Sequence, residues 1–392
     1  MFGASRVLRL DAMKRGGGKK RRSGSSQRVR YAVIGQGYFA QGAVLPGFKE
    51  ADGCELRAIF SEDDTKLRAL RRKYGVAAAL GYDHYDDYLR SGEVDAVYVA
   101  LPNDKHADYV IRAARAGVHV LCEKPIAANS ADAERMLRAC ADNGVKLMTA
   151  YRLHFEGATL NAIERVRRGD IGRPRFFSST FAMQVKEGNI RTRRARGGGP
   201  LLDLGVYCVN AARALFRAEP TQAFAMSASL RGDRRFREID EQVTAVLRFP
   251  GDRLAQLTCS FGAHDHSALA VIGEKGRIRM DPAYDYAGAL TVETEITGKK
   301  PQRKSFPKRD QIAAELIAFA RYIRTGRDPE PSGEEGLADL YVLEAIQRAT
   351  ESGRIEPVER ISRRVRPTRA QSIRRKPHGM PDLVHAEPAG RD

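Results

Sequence analysis

Arg30-Tyr31-Ala32-Val33-Ile34-Gly35-Gln36-Gly37-Tyr38-Phe39-Ala40 is the stretch that decides the fold. A short run of β-formers leads straight into a glycine turn, and a helical pattern then continues to Phe48. Strand, tight turn and helix start, in that order, open a dinucleotide-binding βαβ unit. Gly35 makes the turn, Gly37 lets the backbone approach a pyrophosphate, and Ala40 keeps helix and strand close. The helix N-terminus adds free N–H groups and partial positive charge. Gly35, Gln36, Gly37, Tyr38 and Phe39 are therefore the expected phosphate cradle.

The alternation continues outward from this unit. Residues 55–61 read as a strand, 65–73 as a charged amphipathic helix, 83–91 as a helix and 96–101 as a buried strand ending at Pro102. A helix over 106–116 stops at Gly117, a strand follows over 119–122, Ser130 caps a helix over 131–143, and 146–150 is one more strand. Strands and helices at this spacing predict an α/β Rossmann domain, a doubly wound parallel sheet, over 28–150. From Tyr151 the rhythm changes. A helix over 158–168 precedes β-rich runs at 175–185, 222–230, 243–249, 254–261, 269–272 and 290–296, and helices return at 311–324 and 334–350. Phe249-Pro250-Gly251-Asp252 makes two of these runs an antiparallel hairpin. The expectation for 151–360 is an α+β domain dominated by an antiparallel sheet, which binds substrate and mediates oligomers.

The formal charge of +18 resembles a nucleic-acid signature until it is located. The first 28 residues carry nine Lys and Arg against Asp11 alone, and residues 361–392 carry eight against three acids. The body between them is only mildly basic. Both ends are poor in aromatics and rich in Gly, Ser, Pro or Arg, so 1–27 is expected as a basic disordered arm and 361–392 as a basic disordered tail. Weak, non-specific polyanion binding by these tails is the associated expectation. Arg21-Arg22 is followed by Ser23-Gly24-Ser25-Ser26-Gln27 instead of an apolar region, so the expected location is cytoplasmic and no membrane span is expected. Five cysteines without C-x-x-C or zinc-ligand spacing fit reduced thiols and no metal site.

The end of the second strand should choose the dinucleotide. An acid there grips the ribose 2′-hydroxyl and repels a 2′-phosphate. Ser61 with Lys66 suits a phosphate, so NADP is expected and NAD remains open. Glu62, Asp63 and Asp64 stand between them and would have to point away.

At Glu123-Lys124-Pro125, after a late Rossmann strand, the chain resembles the glucose–fructose oxidoreductase / inositol dehydrogenase (Gfo/Idh/MocA) family. Gly197-Gly198-Gly199-Pro200-Leu201-Leu202-Asp203-Leu204-Gly205-Val206-Tyr207 is similar to its second signature. Most members place a histidine four residues after the aspartate. Tyr207 there resembles the glucose–fructose oxidoreductase branch, as do Leu101-Pro102-Asn103 with His106, Tyr151-Arg152-Leu153-His154 and Gly333-Glu334-Glu335-Gly336. The resemblance covers about 28–360. It implies an open antiparallel sheet whose outer face mediates homodimers or homotetramers, and substrates that are sugars or polyols. It also implies that Leu101, Pro102, Asn103, His106, Glu123, Lys124 and Arg152 join Ser61 and Lys66 in the nucleotide site. The N-terminal arm that embraces the cofactor in the exported members of this branch is here Arg- and Lys-rich.

Oxidation of a carbinol needs a hydride acceptor, a base for the hydroxyl proton, and positive charge beside the developing alkoxide. Lys124, on the loop after a parallel strand, stands where ligands of such sheets bind and is the expected catalytic cation. Asp203 and Tyr207, four apart in a helical stretch, share one face. Tyr207 can exchange a proton with the sugar hydroxyl beside Lys124, and Asp203 can accept a second hydroxyl or orient the pair. The alternative is a core aromatic and a helix N-terminal acid. Arg152, His154, Arg193 and Arg194 are candidate sugar contacts. The expected function is NADP-dependent oxidation of a sugar or polyol hydroxyl, an aldose at C1 to the lactone, coupled if the cofactor stays bound to reduction of a second sugar. The competing reading is a non-enzymatic nucleotide- or sugar-sensing Rossmann protein acting through its basic tails.

Overall fold

The computed structural model describes residues 28–361 and 365–390. The expected N-terminal arm, 1–27, lies outside the described residues. Six parallel strands, β1 (Val29–Ile34), β2 (Cys54–Phe60), β3 (Ala78–Leu80), β4 (Ala96–Val99), β5 (His119–Glu123) and β6 (Leu147–Ala150), form one sheet in the order β3-β2-β1-β4-β5-β6. The order reverses between β1 and β4, and a ligand crevice opens outside the carboxyl ends of strands at such a point. β1 and β4 are buried almost throughout, as strands covered by helices on both faces must be. Gly35, directly after β1, has φ +95, and a Cβ there would lie 2.6 Å from the Ala100 carbonyl oxygen. Only glycine fits this turn.

The second sheet has nine strands: β7 (Pro174–Ala182), β8 (Gln222–Ala228), β9 (Gln242–Phe249), β10 (Arg253–Ser260), β11 (His266–Gly273), β12 (Gly276–Met280), β13 (Leu290–Ile296), β14 (Gln302–Phe306) and β15 (Glu356–Pro357). Their order is β14-β13-β12-β11-β7-β10-β9-β8-β15, and every pairing is antiparallel except β7 with β10. The β9–β10 hairpin pairs Phe249 with Arg253 as its turn residues require. Along β9, Val243, Ala245, Leu247 and Phe249 are buried while Thr244, Val246 and Arg248 are exposed, so one face packs on helices and the other is open. Arg213, on the helix Val206–Phe216, is fully buried beneath it and pairs with Glu219, Glu335 and Asp339.

Several expectations are corrected. Asn129, not Ser130, caps the helix Ser130–Asp142 by accepting from the Asp132 N–H. The helix Gln311–Thr325 does not serve the second domain. Its apolar face, Ile312 to Ala320, joins the cluster of Val33, Leu45 and Ile59, and Tyr31 donates to the Leu316 carbonyl at 3.1 Å. The chain thus crosses back over the expected boundary at 150. The tail also departs from expectation, because residues 365–390 lie along the body instead of being free in solvent. Arg366 pairs with Glu219 and Arg375 with Asp52, so acids on the body take up part of its charge. No helix among the described residues is long and apolar enough to cross a membrane.

Candidate active site

A groove of about 1010 Å³ runs from the glycine turn after β1 to the face of the second sheet. Gly35, Gln36, Gly37, Tyr38 and Phe39 line one end. A Cβ on Gly37 would meet nothing within 4 Å, which leaves the backbone bare toward the groove where a pyrophosphate fits. Ser61, Asp63 and Lys66 line the same end. Asp63 caps the helix Asp64–Tyr74, its Oδ1 accepting the Lys66 N–H at 3.0 Å. Leu101, Pro102 and Asn103, on the loop after β4, form the opposing wall, and Asn103 donates to the Gly197 carbonyl at 2.8 Å.

The other end holds the charged centre. Lys124 follows β5, and its Nζ donates to Asp203 Oδ1 at 2.9 Å and to the Asp203 carbonyl at 3.0 Å. Arg191 Nε donates to the other carboxylate oxygen, Oδ2, at 2.8 Å. Burial works against all these charges. For Asp203 the two cations win, and its carboxyl is held well below the usual carboxylate range. For Lys124 the Asp203, Tyr207 and Glu123 oxygens outweigh burial, so its pKa is raised and it stays an ammonium. Burial pushes the Glu123 carboxyl up, opposed by the Tyr98 hydroxyl, which donates to it at 2.5 Å, and by Lys124.

Tyr207 stands beside this pair. Lys124 Nζ is 4.6 Å from its ring centroid and the Arg152 guanidinium 5.2 Å. The ring packs edge-on to Phe181 and tilted against Tyr284. Asp203 lies on a π-helical turn, Leu201–Gly205, that continues into the helix of Tyr207, and both side chains reach the groove. Arg152 is buried and bonds Gln311 and the Tyr284 carbonyl, while its Nε has no partner among the described residues.

Four expected contacts lie elsewhere. His106 is fully buried, with its ring nitrogens at 2.9 Å from the Leu101 carbonyl and 3.1 Å from the Pro125 carbonyl. It ties the β4 and β5 loops together from behind and does not line the groove. Burial pushes its pKa down against those carbonyls. His154 is also buried, bonded to Asn210 at 2.8 Å and 3.2 Å from Glu330, in a small enclosed space on the far side of Tyr207. Burial disfavours its charge, but Glu330 and Glu335 outweigh that and raise its pKa. Arg193 and Arg194 turn outward to Glu238.

The arginine of this loop that bonds Asp203 is Arg191, which sequence reasoning passed over. Asn189 accepts its N–H at 3.0 Å and starts the 3₁₀ turn Ile190–Thr192 that aims it inward. Tyr286, edge-on to Phe39 across the groove, and Pro388, Ala389 and Gly390 from the C-terminal segment were likewise not anticipated.

Residues 29–151 match the oxidoreductase family with an NAD-binding Rossmann fold, and 159–279 match the GFO/IDH/MocA C-terminal domain. The chain is 31% identical over 332 residues to a D-xylose 1-dehydrogenase [NADP(+)] of Haloarcula marismortui, covering 83% of this chain and 91% of that protein. Its fold matches aldose–aldose oxidoreductase from Caulobacter crescentus, complexed with glycerol, at TM-score 0.81 and 35% identity, over 85% of this chain and all of the other. It also matches the 3-ketoreductase KijD10 of Actinomadura kijaniata, in complex with NADP and TDP-benzene, at TM-score 0.75 and 28% identity, over 82% and 98% of the two chains.

Proposed function

Because the chain belongs to the Gfo/Idh/MocA family of NAD(P)-dependent oxidoreductases, we propose that it uses NADP to oxidise an aldose at C1 to the lactone. The observation that carries this reading is the meeting of Lys124, Asp203 and Tyr207, from two separate motifs, at the end of the nucleotide groove. The names of the relatives, an NADP-dependent xylose 1-dehydrogenase and an aldose–aldose oxidoreductase, support the substrate class. A sensor acting through its tails has no use for such a centre.

The chain's residues fit the cofactor: the bare backbone at Gly37 would hold the pyrophosphate, and Ser61 with Lys66 would hold a 2′-phosphate. When bound, NADP supplies the hydride acceptor. Lys124 has three N–H donors and commits two to Asp203, which leaves one for the reacting oxygen. Its charge favours the developing alkoxide, and Asp203 with Arg191 keeps the ammonium aimed. Tyr207, acting as the phenolate, takes the hydroxyl proton and becomes the neutral phenol, with Lys124 and Arg152 beside its ring. The same groups run in reverse return a proton to a second sugar carbonyl, the coupled reaction. The test adds D-xylose and other aldoses to enzyme and NADP, following absorbance of the reduced nicotinamide and identifying the product. Lactone formation supports the proposal, whereas turnover of polyols alone would move the reaction away from C1.

The assembly is proposed as a homodimer or homotetramer through the open face of the large sheet. Phe224, Val246 and Leu254 lie exposed on it in the adjacent strands β8, β9 and β10, and Ile272 lies beyond β7 on β11. An apolar patch of this kind marks an association surface. Leu254→Lys should lower the oligomeric state read by sedimentation.

A further inference from the structure

Asp63 is the acid that sequence logic would use to select NAD, because it stands two residues after Ser61 at the same end of the groove. In the structure neither of its oxygens is free. Oδ1 accepts the Lys66 N–H at 3.0 Å, and Oδ2 lies 2.8 Å from His385 Nδ1. His385 belongs to the C-terminal segment, 322 residues away in sequence.

That segment is fastened on both sides of the groove. Lys73 donates to the Asp382 carbonyl at 2.7 Å. Gln41, on the turn after the glycine loop, holds the Val384 backbone twice, accepting its N–H at 2.8 Å and donating to its carbonyl at 2.9 Å. Met380 packs so closely on Gly42 that a Cβ there would lie 2.9 Å from its Cε. Beyond His385 the chain crosses to the second domain, where the Lys186 N–H donates to the Ala389 carbonyl at 2.8 Å and Gly390 bridges to Val185. Pro388, Ala389 and Gly390 therefore form part of the groove wall. His385 itself has φ +46, a conformation that residues other than glycine adopt rarely and that these anchors hold in place.

We propose that this C-terminal strap is part of the dinucleotide site and that His385, by occupying Asp63, sets the preference for NADP over NAD. The inference rests on the NADP reading given above. With Oδ2 engaged by His385 and Oδ1 by the helix cap, both oxygens of Asp63 already hold a partner and are weaker acceptors for a ribose 2′-hydroxyl. Lys66, Ser61 and the helix N-terminus then act on a 2′-phosphate, with Glu62 the remaining acid that lines this end of the groove.

The test is calorimetric titration of the full chain with NADP⁺ and with NAD⁺, since the sequence has no tryptophan to report binding. The proteins compared are wild type, His385→Ala, Asp63→Asn and the double variant. His385 is largely exposed and asparagine caps helices as well as aspartate, so all four should fold. His385→Ala should lower the NADP/NAD affinity ratio by about tenfold, the scale of one uncompensated charge near a protein surface. Asp63→Asn should leave the ratio at or above wild type, and the double variant should restore it. A wild-type ratio retained in His385→Ala, or an equal loss in the double variant, overturns the assignment. A wild type that prefers NAD instead refutes the NADP reading beneath it.

Discussion

Lys124 Nζ touches Asp203 twice, at 2.9 Å on the carboxylate and 3.0 Å on the carbonyl. This contact joins the loop after a Rossmann strand to the first turn of a helix in the second domain. It also gives Lys124 its state. Burial alone would drive the ammonium toward neutrality, and the aspartate reverses that. The lysine is thus a fixed cation in the resting enzyme, and in the mechanism proposed above the proton leaves through Tyr207.

Replacing Lys124 with Met should cut turnover by at least about a hundredfold, the low end for a positioned acid–base group. Arg191 still compensates Asp203, so NADP binding should persist. Steady-state rates beside a binding isotherm measure both, and a near-normal rate would remove Lys124 from the mechanism.

Asp203→Asn removes the strongest of the groups that raise Lys124 and leaves burial, which lowers it, opposed only by Tyr207 and Glu123. Wild type should keep its charged lysine through the alkaline range up to the raised pKa. The variant should lose rate at lower pH on that limb. Linkage gives the matching stability signs. The depressed Asp203 carboxyl stabilises the fold above the ordinary carboxylate pKa, and this is lost as pH falls through its folded value. The raised Lys124 contributes fully below its ordinary pKa, and this is lost as pH rises through the folded one. Rate–pH profiles and thermal melts across both ends of the range check the two halves.

Tyr207→Phe keeps the ring against Phe181 and Tyr284, so thermal stability should hold while the rate falls by two orders of magnitude or more. Tyr207→His should retain partial activity. An undiminished rate in Tyr207→Phe would send the proton through another group. His154 is a poor substitute, since it lies behind the ring and is engaged with Asn210 and Glu330.

Arg213 is fully buried against three carboxylates. Arg213→Met leaves Glu335 and Asp339 in the interior without their cation, while Glu219 keeps Arg366, and should cost about 3–5 kcal/mol of stability in a denaturant titration. A loss below about 1 kcal/mol would mean that the acids are protonated or hydrated instead.

Local signals made the Rossmann domain and its turn legible, because Gly35 and Gly37 are required by backbone geometry over a few residues. Lys124, Asp203 and Tyr207 were legible for a related reason: each sits at a fixed offset from a strand end or helix start. Among the arginines of the loop after β7 no periodicity distinguishes one from another, and only the turn started by Asn189 shows that Arg191 points inward while Arg193 and Arg194 point out. His106 and His154 looked like ligands because their segments approach the site. Their partners are distant carbonyls and acids that spacing does not reveal. The tail misled most. Its composition cannot build a core of its own, yet it needs none, since Gln41, Asp63 and Lys73 supply its partners.

The central claim, hydride removal from C1 of an aldose at the Lys124–Tyr207 centre, is tested most directly by deuterium transfer. The enzyme is given NADP⁺ and an aldose carrying deuterium only at C1, and the reduced nucleotide is examined by mass spectrometry. The account predicts one deuterium in the reduced nicotinamide, a slowed rate relative to the unlabelled sugar, and lactone as the product. Reduced nucleotide without deuterium, formed from the same sugar, would place the oxidation at another carbon and contradict it.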